Sequence, residues 1–127
     1  MATNSGYTRK VIIATITLAI IIFIVLALRP LPKANKNNCS KFIGIVSQVI
    51  NGDGEGDIVI KIKNDKNYYY INRATDHGML VSDLNKKLLN KEVELFTIKH
   101  WTPLDPMFRT KHIAEIRING TLIYSEM

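Results

Sequence analysis

The chain has 127 residues, 46% of them hydrophobic, with a net charge of +6 at neutral pH and a single cysteine. That length leaves room for one small domain with a thin core, and one thiol excludes an intrachain disulfide framework. Most of the charge sits at the front, where Arg9, Lys10, Arg29, Lys33 and Lys36 meet no acid among residues 1–37, leaving twelve basic against eleven acidic residues in 38–127. So neutral a remainder lacks the basic face that phosphate neutralisation requires, which makes nucleic acid an unfavoured partner.

Residues 1–10 read as a basic tail. Val11 to Leu28 follow without a charge, Pro or Gly. As a helix this stretch covers about 27 Å, close to the hydrocarbon thickness of a bilayer, so 11–28 is expected to be a transmembrane helix with lipid as its partner. Val25, Leu26 and Ala27 also suit a signal-peptidase cut after Ala27. The length of the run, the absence of a breaker before Pro30 and the bulk of Leu26 favour a retained anchor. No acylation or prenylation signal accompanies it: Met1-Ala2-Thr3 lacks the required Gly, and the C-terminus lacks a Cys. Cations flank the helix on both sides. A short basic head before a first apolar segment is the layout of a signal anchor, so the following domain is expected outside the cytoplasm.

Residues 29–40 combine two prolines with cations and amides, and read as a linker in which Cys39 is free or joins two copies. A domain over 41–127 follows. Phe42 to Ile50 is expected to be a strand that ends in the glycine-rich turn Asn51 to Asp57. Ile58, Ile60 and Ile62 alternate with Val59 and Lys61, predicting a second strand, and Tyr68 to Arg73 a third. Leu80, Leu84 and Leu88 lie four apart, which predicts a helix over Met79 to Leu89 capped by Ser82. Val93 to Ile98 alternates again. After a long loop, Ile113 to Ile118 and Thr121 to Tyr124 flank Asn119-Gly120, the signature of a tight hairpin.

The order β-β-β-α-β-β-β resembles an OB-fold, a five-stranded Greek-key barrel with its helix between the third and fourth strands, although the last strand exceeds the minimal plan. Gly44 falls where the resemblance implies a bend in the first strand. An SH3-like barrel or a small α+β sheet fits the same periodicities.

The loop His100 to Lys111 has the most unusual composition after the anchor and holds the sole Trp. Trp101, Phe108 and Arg109, with His100, make a candidate recognition patch, since aromatic and Arg side chains act as binding hot spots. The resemblance points the same way, because the loop between strands four and five is a habitual OB binding edge. The competing reading folds Trp101 and Phe108 back as a lid on an undersized barrel. Tyr68, Tyr69 and Tyr70 cannot all face inward from one strand, so Tyr68 and Tyr70 are a second candidate surface. His100, Asp105 and His112 form an alternative metal set, although no short ligand pair supports it. The Asn51 to Asp57 turn fails as a calcium loop, with Ile62 at the twelfth position, and reads as a solvated acidic turn. Asn38-Cys39-Ser40 and Asn119-Gly120-Thr121 match a glycosylation pattern that arises often by chance.

No residue spacing after residue 28 identifies a reaction or a cofactor. The expected function is a membrane-anchored binding or structural module for a protein or envelope ligand, working without a cofactor. A membrane-tethered metal-dependent hydrolase and a tethered single-stranded nucleic-acid binder are the alternatives.

Overall fold

The computed structural model describes residues 4–127 as two compact units. The first holds a long helix, α1 (Ser5–Ala27), and the loop residues Trp101–Pro106. α1 takes in Ser5 to Lys10 as well as the apolar run, because the residues ahead of Val11 carry no Pro and Asn4 O accepts from the amides of Tyr7 and Thr8 at 2.9 and 3.2 Å. At about 1.5 Å per residue the helix reaches roughly 35 Å, and none of its residues is buried. It is long and apolar enough to span a membrane. Within the apolar run the Thr15 hydroxyl donates to Val11 O at 2.9 Å, hiding its hydrogen from an apolar surround. The helix stops just ahead of Pro30, which would remove a donor and clash with the preceding turn.

The second unit is a closed barrel. Its strands are β1 (Cys39–Asn51), β2 (Ile58–Ile62), β3 (Tyr68–Ile71), β4 (Glu92–Ile98) and β5 (Thr110–Ile118), with a short helix α2 (Val81–Leu88) between β3 and β4. β1 pairs antiparallel with both β2 and β4, β4 with β5, and β2 with β3; the parallel pair β3–β5 closes the ring. A sixth strand, β6 (Thr121–Ser125), adds to β5 outside that ring. This is the OB-like order that the sequence resembles. Asn119 and Gly120 turn β5 into β6 with φ of 49° and 79°, as a tight hairpin requires.

β1 serves both halves of the barrel. Residues 39–45 pair with β4 and residues 46–51 with β2, and the register slips between Val46 and Gln48 where the strand changes partner. Such a slip bends a strand and sharpens its twist. Gly44 sits just ahead of it, where a Cβ would come within 2.5 Å of Ile62 Cγ2 and 2.9 Å of the Phe42 ring. Close packing therefore demands Gly here, in addition to the expected bend.

The core is the inward alternation of the strands: Val46 and Val49, Ile58, Ile60 and Ile62, Tyr69 and Ile71, Val93 and Leu95, Ile113 and Ile116, with Tyr124 from β6. α2 adds Leu84 and Leu88. Leu80, expected in the same stripe, instead precedes the helix in an extended conformation and is exposed, while Ser82 lies inside the helix and caps nothing. Met79 and Val81 pack partly against the core from the positions flanking Leu80. β1 and β5 each begin three residues before the apolar runs that announced them. This places Cys39 on a strand instead of in a linker, and His112 inside a strand instead of at a loop end.

Candidate functional site: an aromatic groove on β3

Strand alternation splits the three tyrosines. Tyr69 points into the core, where its ring stacks on Phe42 with centroids 5.4 Å apart and its hydroxyl donates to Asp65 Oδ2 at 3.0 Å. Burial pushes the Tyr69 phenol up to about 12. Tyr68 and Tyr70 face outward and are half-buried, with ring centroids 6.1 Å apart and planes inclined at 41°. They form the floor of an open groove of about 560 Å³ whose other lining residues include Asp53, Asp57, Asn72 and Thr110.

Each wall has an identifiable cause. The turn between β1 and β2 is held shut by Gly52 N donating to Asp57 O at 2.8 Å and Asp57 N to Gly54 O at 3.2 Å. The Asp57 carboxylate then accepts from Arg73 N at 2.7 Å, fastening the turn to the end of β3, and Thr75 N donates to Gly56 O at 3.1 Å. The expected solvated acidic turn is thus a built corner. Sequence hid it because the donor is a backbone amide sixteen residues away. Asp53 N in turn donates to the Tyr68 hydroxyl at 3.3 Å, so the ring and the turn fix each other. Thr110 enters through the parallel pairing of Tyr68 with Thr110 and Tyr70 with His112.

Behind the floor lies a small polar network. His112 is buried, its ring meeting Tyr70 edge-on at 5.2 Å, and its Nε2 lies 2.8 Å from Glu126 Oε1. The other carboxylate oxygen of Glu126 accepts from the Tyr124 hydroxyl at 3.1 Å. With its hydrogen on Nε2, His112 leaves Nδ1 buried and without a hydrogen-bond partner among the described residues. The Tyr70 phenol is raised by burial first and then by the negative charges of Asp57 and Glu126, and burial likewise raises Tyr124, with Glu126 adding to it.

The loop residues are distributed differently. In the first unit Trp101 is 46% exposed, its indole Nε1 donates to Pro106 O at 3.3 Å, and its carbonyl accepts from Arg29 Nη2 at 3.0 Å. Thr102 pairs with Asp105 in an isolated bridge, making a self-contained turn. In the barrel unit Phe108 adopts φ of 50° and carries Lys111 Nζ 3.2 Å from its ring centroid. Arg109 is exposed, and its carbonyl accepts from Tyr68 N at 2.8 Å. His100 is half-buried. Trp101 is absent from the barrel core, as is Phe108. Among the described residues no group of three or more His, Cys, Asp or Glu side chains is placed to hold a metal ion.

A second depression, of about 420 Å³, is lined by Lys36, Lys41, Phe96, Glu115 and Arg117. Its charges are largely spent on one another. Lys41 Nζ lies 2.7 Å from Glu94 Oε1, and the buried Glu115 accepts from Arg117 Nε and from Ser125 Oγ. In the β3 groove the Asp57 carboxylate is engaged by the Arg73 amide, while Asp53 and Asn72 stand on the rim beside the two tyrosines.

Chemically, the groove offers two aromatic faces, two carboxylates, an amide and a hydroxyl, with no base in its lining. Such a set stacks and hydrogen-bonds. Comparison with known protein families, with characterised proteins and with solved structures returned no match for this chain.

Proposed function

We propose that the protein is a single-pass membrane protein whose exported OB-like barrel is a binding module, with its ligand surface at the β3 groove. The carrying observation is the outward pair Tyr68 and Tyr70, set beside Asp53 and Asp57 in an open depression on the barrel. In an OB-like barrel the outer face of strands two and three, with the adjoining turn between strands one and two, is where ligands dock, so the groove falls on the productive face of the architecture. The anchor tethers the barrel to the bilayer. Binding of a ligand other than nucleic acid is favoured because the lining carries carboxylates and no cation.

A photo-crosslinking phenylalanine analogue placed at Asn72 or Thr110 of the groove rim, in intact membranes, is expected to capture a discrete partner. The same analogue at Leu122 on β6 should capture none. Adducts from Trp101 alone would move the ligand surface to the loop. For orientation, an alkaline phosphatase fused after Met127 should be active; a silent fusion would put the barrel in the cytoplasm.

A further inference from the structure

Resting on that reading, we infer that the β3 groove takes a protonated amine or guanidinium, presented as a lysine or arginine side chain on an extended segment of a partner polypeptide. Three separate observations converge on a cation. The lining holds Asp53 and Asp57 and no Lys, Arg or His, on a domain whose twelve basic and eleven acidic residues otherwise nearly balance, so the groove is a local acidic patch. Tyr68 and Tyr70 present ring faces beside those carboxylates, and an aromatic face attracts a cation within about 6 Å of its centroid. The Asp57 and Glu126 charges reach the Tyr70 hydroxyl, so the field extends from the rim to the floor. Lys61 shares the outer face by strand alternation, yet it stands outside the lining.

Shape selects the carrier. The depression is open, so it covers one side of a ligand and cannot enclose a free small amine. A side chain arriving on a backbone suits it, because the rest of the affinity then comes from contacts beyond the groove. Asn72 is exposed at its margin and supplies a side-chain amide for the backbone of an extended segment.

The test uses full-length protein in an uncharged detergent, titrated by calorimetry with an acetylated tetralysine peptide and, separately, with a neutral chitotetraose. The peptide is expected to bind and the sugar to give no heat. Asp53→Asn should weaken the peptide about fivefold, as loss of one partly exposed charge pair does, and Tyr70→Leu should weaken it by a similar factor through the lost ring face. Glu92→Gln, on an exposed position of β4, should change nothing, which separates the groove from diffuse attraction. Equal losses in Asp53→Asn and Glu92→Gln would overturn the inference. Binding of chitotetraose without the peptide would also overturn it while leaving the groove as the ligand surface, whereas failure of both probes, with no crosslink from Asn72 or Thr110, would remove the surface too. Circular dichroism of each variant, matching the parent, excludes misfolding as the cause.

Discussion

At the scale of single residues, Gly44 and the buried phenols bear the clearest consequences. A methyl at Gly44 would meet Ile62, itself held in the core, and the Phe42 ring that stacks on Tyr69. Neither neighbour can swing aside. Gly44→Ala is therefore expected to cost about 1–3 kcal/mol by overpacking, which for a domain of this size lowers Tm by roughly 4–20 °C in a thermal scan. The tyrosines set the alkaline limit. Tyr69 is held near 12 in the folded state, against about 10 in the unfolded chain, so the folded protein binds the proton more tightly over that interval. Its contribution is fully present below pH 10 and is lost as pH climbs through 12, and Tyr124, raised further by burial and by Glu126, extends the loss in the same direction. Denaturant midpoints should thus fall between pH 10 and 12, with absorbance at 295 nm showing late-ionising phenols. Replacement of Tyr69 by Phe should flatten that fall. Cys39 belongs here too: burial raises its thiol, so its alkylation at pH 8 should lag behind a free cysteine.

At the scale of elements, what the sequence disclosed and what it concealed divide by the range of the interaction. β2 and β3 were legible because period-two alternation and aromatic content are local, and Asn119-Gly120 announced its hairpin by backbone conformation alone. The early starts of β1 and β5 were not legible. Cys39 joins β1 by pairing with Ile98, and Thr110 joins β5 by pairing with Tyr68, and both partners lie more than forty residues away. The groove was half legible. Alternation predicted that Tyr68 and Tyr70 would share a face, but nothing local brings Asp57 to the Arg73 amide or puts His112 behind Tyr70. The loop was legible in composition alone, since the placement of Trp101 and Phe108 depends on the turns around them. Truncations distinguish the two kinds of element. Leu88→Ala, in the fully buried end of α2, should destabilise the barrel by about 2–5 kcal/mol, whereas Trp101→Ala, at a half-exposed position outside the core, should stay within about 0.5 kcal/mol. A large loss in the second variant would restore the lid reading.

At the scale of the whole molecule, the strength of the anchor can be reckoned from its composition. Between Val11 and Leu28 thirteen residues are Ile, Leu, Val or Phe. Each contributes about −0.3 to −0.6 kcal/mol to insertion, for a total of roughly −4 to −8 kcal/mol, against about +2.5 to +3.5 kcal/mol for one Arg at the centre of the span. A single charge does not outweigh the rest. Ile20→Arg should therefore still pellet with membranes after an alkaline carbonate wash, while Ile16→Arg combined with Ile20→Arg, two charges on one helix face, brings the sum near zero and should release the protein. The pattern discriminates mechanisms of attachment. If the barrel were held at the membrane by its own surface, the carbonate wash would release parent and variants alike, and if the helix were cleaved after Ala27, the released parent would begin at Leu28. A tether that tolerates one central charge and fails at two is the signature of a helix retained in lipid, which the proposed binding role at the membrane requires.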